Sequence, residues 1–170
     1  MKKYLAAIIA VLVCLAFSAC SADKKDAAAS DIVYSAIADC TSMKGSYTTY
    51  FANGSEGGDG YLSQEELYAL YYRDVPPADE LTLLCDWCIA ISSSPEVREL
   101  HVMKVKSKSD RERIADMLKR RAKLLSAPEL FQAKSELLGT RPLQTGVFFC
   151  GNFVILAAGN DVREVVNYLD

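Results

Sequence analysis

Four stretches of the chain place apolar residues at helical spacing directly after a Ser or Asp suited to capping a helix. Each stretch has a Glu three residues after the capping residue, the arrangement of a capping box. There the first side chain accepts a backbone N–H, and the Glu reaches back to the capping residue. The four pairs are Ser63 with Glu66, Ser109 with Glu112, Ser126 with Glu129, and Asp161 with Glu164. An apolar stripe over residues 32–40 predicts one earlier helix.

Between these helices, short runs rich in β-branched and aromatic residues predict strands. The runs are residues 88–91, 99–105, 147–150 and 153–156. A Ser-Ser-Ser-Pro turn region separates the first two, and Gly151-Asn152 between the last two is a signal for a tight hairpin. Two hairpins separated by helices, without a repeating βαβ rhythm, predict an α+β fold. We expect an antiparallel sheet of about four strands, with helices packed on one face.

The start of the chain has the features of an export signal. A basic beginning with Lys2 and Lys3 precedes an apolar run over residues 5–17, which is shorter than the roughly 20 residues that span a bilayer. The run ends in Phe17-Ser18-Ala19-Cys20, which resembles the lipobox of bacterial lipoproteins, although Phe17 stands where Leu is usual. This resemblance implies that Cys20 receives a diacylglyceryl group and becomes the new N-terminus.

These features predict three segments. Residues 1–19 are a lipoprotein signal peptide, and residues 20–30 are the lipidated cysteine and a flexible, polar tether. Residues 31–170, about 140 in number, form a single domain of common size. The expected location is the outer, extracytoplasmic face of the cell membrane, held there by the lipid anchor.

Charge is distributed unevenly along the predicted mature chain. Without Lys2 and Lys3, 17 basic residues stand against 22 acidic ones, for a net charge of −5. Residues 104–123 nevertheless contain nine basic and three acidic residues. Lys119, Arg120, Arg121 and Lys123 form a possible patch for anionic lipid or cell-wall polymer, whereas the alternative is the solvated face of a helix. An acidic exported domain without an aromatic recognition motif is not expected to bind nucleic acid.

The stretch GSEGGDGYLSQEEL, residues 54–67, has part of the pattern of a calcium loop that ends in Glu66. In that alignment the first and third ligand positions fall on Ser55 and Gly57, which supply no carboxylate. The capping box explains Glu66 without a metal, and Leu62 with Leu67 fits a hydrophobic staple. We therefore expect a helix start at this place, and no metal or cofactor.

Two cysteines, Cys85 and Cys88, have the spacing of a thiol redox pair. Cys88 runs directly into a predicted strand, and strand residues three apart point to opposite faces. A turn before Cys88 would remove that objection, but buried apolar cysteines are the preferred interpretation. Cys40, Cys85, Cys88 and Cys150 allow three disulfide pairings in an exported protein, and the sequence selects none.

Other catalytic signals are sparse. His101, the single histidine, lies in an apolar strand, which favours a hydrogen-bonded sheet residue over a catalytic base. The chain has no nucleophile elbow, phosphate loop or dinucleotide fingerprint.

The strand ELHVMKVK, the charged helix after it and the hairpin GVFFCGNFVILAAG with a terminal helix resemble an uncharacterised family. This family is domain of unknown function 4358, from lipoproteins of Gram-positive anaerobes. The resemblance covers most of the mature chain, most closely from about residue 84 onward, and implies location and fold but no activity. Together these observations predict a non-catalytic binding or scaffolding lipoprotein with partners still to be identified, and the alternative is a thiol-redox protein using Cys85 and Cys88.

Overall fold

The computed structural model describes residues 27–73, 79–93, 97–127 and 143–169. These residues contain four α-helices and five strands. The helices are α1 (Ala29–Asp39), α2 (Gln64–Tyr71), α3 (Arg111–Leu125) and α4 (Val162–Leu169). The strands are β1 (Tyr47–Phe51), β2 (Leu84–Ser92), β3 (Glu99–Val105), β4 (Gln144–Cys150) and β5 (Phe153–Gly159). The predicted signal peptide, Cys20 and the helix predicted after Ser126 lie outside the described residues.

The strands form one open antiparallel sheet in the order β1-β2-β3-β5-β4. This arrangement confirms the predicted α+β class and both predicted hairpins, β2 with β3 and β4 with β5. Gly151 turns the second hairpin with φ +57°, a left-handed conformation that glycine adopts at little cost. Pairing of β3 with β5 then joins the two hairpins into a single sheet.

The fifth strand, β1, was missed by the sequence prediction. It lies at one edge of the sheet and pairs with β2 from Tyr47 opposite Ser92 to Phe51 opposite Cys88. Its sequence YTTYF has no continuous apolar run, and its side chains are partly or wholly exposed. An edge strand of this kind carries little hydrophobic signal, and only its tyrosines and threonines favour a strand.

Helices cover both faces of the sheet, so the prediction that they pack on one face is wrong. Phe153 and Ile155 of β5 pack with α1 and α4, whereas the intervening Val154 and Leu156 pack with α2 and α3. The central strands β3 and β5 are almost entirely buried. A strand that is apolar at successive positions exposes hydrophobic surface on both sides, and both sides must therefore be covered.

The capping box of α2 forms as predicted. The Ser63 hydroxyl accepts the Glu66 N–H, and the Glu66 carboxylate accepts the Ser63 N–H at 2.9 Å. Leu67 is buried in the same apolar cluster that Leu62 contacts, in agreement with the predicted staple. Hydrogen bonds from Ser63 lower the pKa of Glu66, which is therefore engaged by the helix start.

The two other capping boxes in the described residues differ from the prediction. Before α3, the Ser107 side chain, not that of Ser109, accepts a backbone N–H and caps a short 3-10 turn. Before α4, Asp161 accepts the Arg163 and Glu164 N–H groups as expected. Ser109 and Asp161 therefore look alike in sequence but differ in the fold, because a turn inserted before α3 moves its cap.

Glu164 does not complete the box at Asp161. Its carboxylate instead accepts the N–H groups of Thr41 and Ser42, both at 2.8 Å, and hydrogen bonding from Ser42, followed by that from Thr41, lowers the pKa of Glu164. The 3-10 turn Thr41–Met43 follows α1, so this contact joins the first helix region to the last helix. The folded region also begins before the predicted boundary at residue 31, because Ala29 is fully buried.

The loop after β1 provides a test of the fold. Gly57 and Gly60 both have positive φ, at +74° and +80°. A Cβ added at Gly57 would meet open space. A Cβ added at Gly60 would lie 2.5 Å from the Phe51 ring. We expect Gly57→Ala to lower the free energy of unfolding by about 1 kcal/mol through backbone strain alone. Gly60→Ala should cost roughly 1–3 kcal/mol more, because the Phe51 ring must move. Urea denaturation of both variants measures the difference, and equal losses would contradict this packing.

Candidate functional site

A chain of buried polar side chains crosses the face of the sheet that packs against α2 and α3. The Tyr71 hydroxyl lies 2.7 Å from His101 Nδ1, and His101 Nε2 lies 3.0 Å from Glu99 Oε2. Arg121 donates to the same carboxylate through Nε at 3.0 Å and Nη2 at 2.6 Å. Tyr71, His101 and Glu99 are 1%, 0% and 3% exposed, so the network is enclosed within the domain.

Three elements supply these residues. Glu99 and His101 stand two positions apart on β3, and alternate residues of a strand point to the same face. Tyr71 is the last residue of α2, and Arg121 lies on α3. The sheet therefore provides the carboxylate and imidazole, and the two helices provide a partner at each end.

The hydrogen-bond partners determine the arrangement of protons. Burial alone would raise the pKa of Glu99, but the hydrogen bonds and charges of His101 and Arg121 outweigh it and lower the pKa to about 2. The ionised carboxylate only accepts, which assigns a proton to His101 Nε2. Burial, with the charge of Glu99, raises the pKa of Tyr71 well above its ordinary value.

A second polar chain lies beside the first. The Tyr72 hydroxyl donates to Glu80 Oε2 at 2.7 Å, and Arg120 Nη2 donates to Glu80 Oε1 at 3.1 Å. The Arg120 guanidinium also lies 4.8 Å from the centre of the Tyr72 ring. Burial, with the hydrogen bond to Glu80, raises the pKa of Tyr72. Tyr71 is thus linked to Arg121 through His101 and Glu99, and its neighbour Tyr72 is linked to Arg120 through Glu80.

This geometry changes the predicted anionic-surface patch. Arg120 and Arg121 direct their guanidinium groups to the buried carboxylates of Glu80 and Glu99. Lys119 and Lys123 are exposed on α3, and Lys119 forms an ion pair with Asp116 at 2.8 Å. The predicted patch therefore does not present four unpaired cations, because Arg120 and Arg121 form ion pairs with carboxylates inside the domain.

The first polar chain has the order hydroxyl, imidazole, carboxylate that also occurs in nucleophilic triads. A nucleophile must touch its substrate, however, and this hydroxyl belongs to a buried phenol with a raised pKa. A fully hydrogen-bonded buried network fixes the relative positions of the elements that supply it. Its evident role in this conformation is to hold α2 and α3 against β3.

His101 is a hydrogen-bonded sheet residue, which confirms the prediction made for it. The sequence prediction did not find its partners Tyr71, Glu99 and Arg121. A signal for one of them was present, because Glu99 and His101 are polar residues at alternate positions of an apolar strand and so share one face. Nothing in the local sequence connects that face with Tyr71 or Arg121.

The two cysteines of the redox spacing have unlike surroundings. Cys88 is fully buried on β2, and burial raises the pKa of its thiol to about 12. Cys85 is exposed at an irregularity of the same strand and donates to the Lys104 carbonyl at 3.4 Å. Both thiols are unbonded to other sulfurs. A reactive pair needs an accessible thiolate, and Cys88 does not provide one in this fold.

No cluster of three or more His, Cys, Asp or Glu side chains in the described part of the chain is arranged to hold a metal ion. Among the described helices, none has the length and apolar character needed to cross a bilayer.

Comparisons of the chain with family models, with curated proteins and with solved structures found no match. The resemblance to domain of unknown function 4358 therefore stays a prediction.

The Glu99 network predicts a loss of stability when its charge is removed. Glu99→Gln leaves Arg121 without its carboxylate, and we expect the free energy of unfolding at pH 7 to fall by roughly 3 kcal/mol. Asp116→Asn is the matched control, because it removes one carboxylate from an exposed pair and should change little. Urea denaturation compares the two variants, and equal effects would show that the Glu99 network contributes no more than a surface pair.

The same variant has a pH signature. Because the pKa of Glu99 is lowered on folding, its stabilisation is fully present above the ordinary carboxyl pKa near 4.5 and is lost as pH falls towards about 2. The shift corresponds to about 3 kcal/mol. Glu99→Gln should lack this part of the acid sensitivity.

Proposed function

We propose that this chain is a lipid-anchored protein of the extracytoplasmic face of the cell membrane, and that its folded domain binds or scaffolds another surface component. The anchor rests on the basic start, the apolar run and the small residues before Cys20. The non-catalytic part of the proposal rests on one observation, the enclosure of the Tyr71–His101–Glu99 chain.

Enclosure favours binding over catalysis for a physical reason. A general base must come within hydrogen-bond distance of the proton that it removes. Both ring nitrogens of His101 already have partners, and the ring has no exposed surface. The side chains best suited to acid–base chemistry therefore stiffen the domain, and a stiff domain presents a surface of constant shape to a partner.

The anchor is tested at its cysteine. We expect the wild-type chain from the membrane fraction to carry fatty acyl groups at Cys20, and Cys20→Ser to lose them. Intact-mass analysis and fractionation of the native protein measure both properties. Cys85→Ser is the control, since it makes the same substitution at the exposed Cys85 and should remain acylated. Acyl mass on Cys20→Ser, or recovery of the wild type from cytosol, would contradict the proposal.

Thiol redox chemistry is the second candidate function, and the spacing of Cys85 and Cys88 is the observation that favours it. The surroundings of Cys88 oppose it, because a thiol with a pKa of about 12 is almost entirely protonated near neutral pH.

A thiol titration separates the two candidate functions. We expect Cys85 in the native protein to react with a thiol reagent within minutes, and Cys88 to react only after denaturation. Mass mapping of the labelled cysteines gives each rate, with Cys85→Ser and Cys88→Ser as controls. Fast labelling of both thiols, with reversible formation of a bond between them, would support the redox function instead.

A further inference from the structure

The place where the chain enters the fold is fixed by two hydrogen bonds. Lys104 Nζ donates to the Ala27 carbonyl at 3.0 Å, and the Ala29 N–H donates to Asp86 Oδ2 at 2.7 Å. Asp86 and Lys104 stand opposite each other near the start of β2 and the end of β3. The entry of the chain is therefore attached to one particular end of the sheet.

The distance to the lipid anchor is limited by the covalent chain. Ala27 stands seven positions after Cys20, and even a fully extended chain of that length spans only about 25 Å. β2 alone has nine residues and is roughly 30 Å long. A lipid on Cys20 therefore holds the sheet end near Ala27 closest to the membrane.

The turn after β3, at this end of the sheet, is rich in basic residues. Residues 104–111 contain four basic side chains and a single acidic one. Three of the cations donate to carbonyl oxygens: Lys104 to Ala27, Lys106 to Thr82, and Arg111 to Lys108 and Gly151. Within the described residues, no carboxylate lies within ion-pair distance of Lys104, Lys106, Lys108 or Arg111. In this part of the chain they form no ion pair with a carboxylate, unlike Lys119, Arg120 and Arg121.

An exposed aromatic ring accompanies these cations. Phe149, near the end of β4, is 39% exposed, and the Arg111 guanidinium lies 5.1 Å from the centre of its ring. Aromatic rings and the apolar stems of basic side chains suit the boundary between lipid headgroups and acyl chains. The basic side chains and the exposed Phe149 ring at this end of the sheet therefore match a membrane surface, which has anionic headgroups outside and apolar acyl chains below them.

We infer that the end of the sheet carrying Lys104, Lys106, Lys108 and Arg111 docks on anionic lipid headgroups of the membrane in which the chain is anchored. This inference rests on the proposed anchor at Cys20. The loop after β1, which contains Glu56 and Asp59, lies at the β1 edge of the same end, where the Gly60 carbonyl accepts the Phe51 N–H. The domain therefore tilts so that the half of the sheet containing β3, β5 and β4 faces the lipid.

The full lipidated chain, reconstituted in vesicles, tests the docking. One vesicle set is phosphatidylcholine, and the other is phosphatidylcholine with phosphatidylglycerol. A neutral amine-acetylating reagent is applied, and the modification rate of each lysine is read by mass spectrometry. We expect Lys106 and Lys108 to react several-fold more slowly on the anionic vesicles, while Lys119 and Lys123 react equally on both. Protection of Lys106 should vanish in 1 M salt, where the screening length is about 3 Å.

Two double variants with the same charge change complete the test. Each basic residue near an anionic surface strengthens attachment by roughly fivefold, so Lys108→Gln with Arg111→Gln should weaken docking by roughly 25-fold. Protection of Lys106 is then lost, whereas Lys119→Gln with Lys123→Gln leaves it intact. Protection confined to Lys119 and Lys123, or equal protection of all four lysines, would overturn the inferred orientation.

Flotation of the vesicles distinguishes the two levels of the proposal. A chain that floats with both vesicle types but shows no lysine protection retains its anchor and overturns the docking alone. A chain that floats with neither overturns the anchor at Cys20 and the docking with it.

Discussion

The bidentate pair between Glu99 and Arg121 is the interaction on which the arrangement of the domain depends. It places a negative charge on a central strand, where desolvation is costly without a well-oriented partner. Arg121 supplies that partner from α3, and His101 passes the hydrogen bonding on to Tyr71 of α2. An apolar interface would tolerate rotation or sliding of these helices. The charged pair permits one orientation, because displacement leaves a buried ion unsatisfied.

Much of the fold follows from local sequence signals. The hairpin at Gly151, the helix start at Ser63 and the interior position of His101 each depend on residues within a few positions of one another, and each was predictable. The cap at Ser107, the edge strand β1 and the partners of Glu99 were not. Their determinants are an inserted turn, pairing with a distant strand and a contact between three elements, none of which leaves a periodic pattern.

The run of basic residues from 104 to 123 shows the same limit of prediction from sequence. Counting residues from 104 to 123 reveals an excess of positive charge but treats all nine cations alike. The fold divides them, because the guanidinium groups of Arg120 and Arg121 enter the domain whereas Lys106 and Lys108 remain outside. Net charge over a segment is therefore a poor measure of the field that a partner meets. The field that a partner meets depends mainly on the cations that have no carboxylate paired with them.

The strand order also affects when the domain is able to fold. β5 lies between β3 and β4, and it is the second-to-last element along the chain. Glu164 of α4 then closes the 3-10 turn at Thr41, 123 residues earlier. A growing chain that has not reached β5 and α4 lacks both the strand that joins β3 to β4 and the cap at Thr41. The sheet is therefore completed only after β5 has been made, so folding of this domain lags behind the synthesis of its first strands.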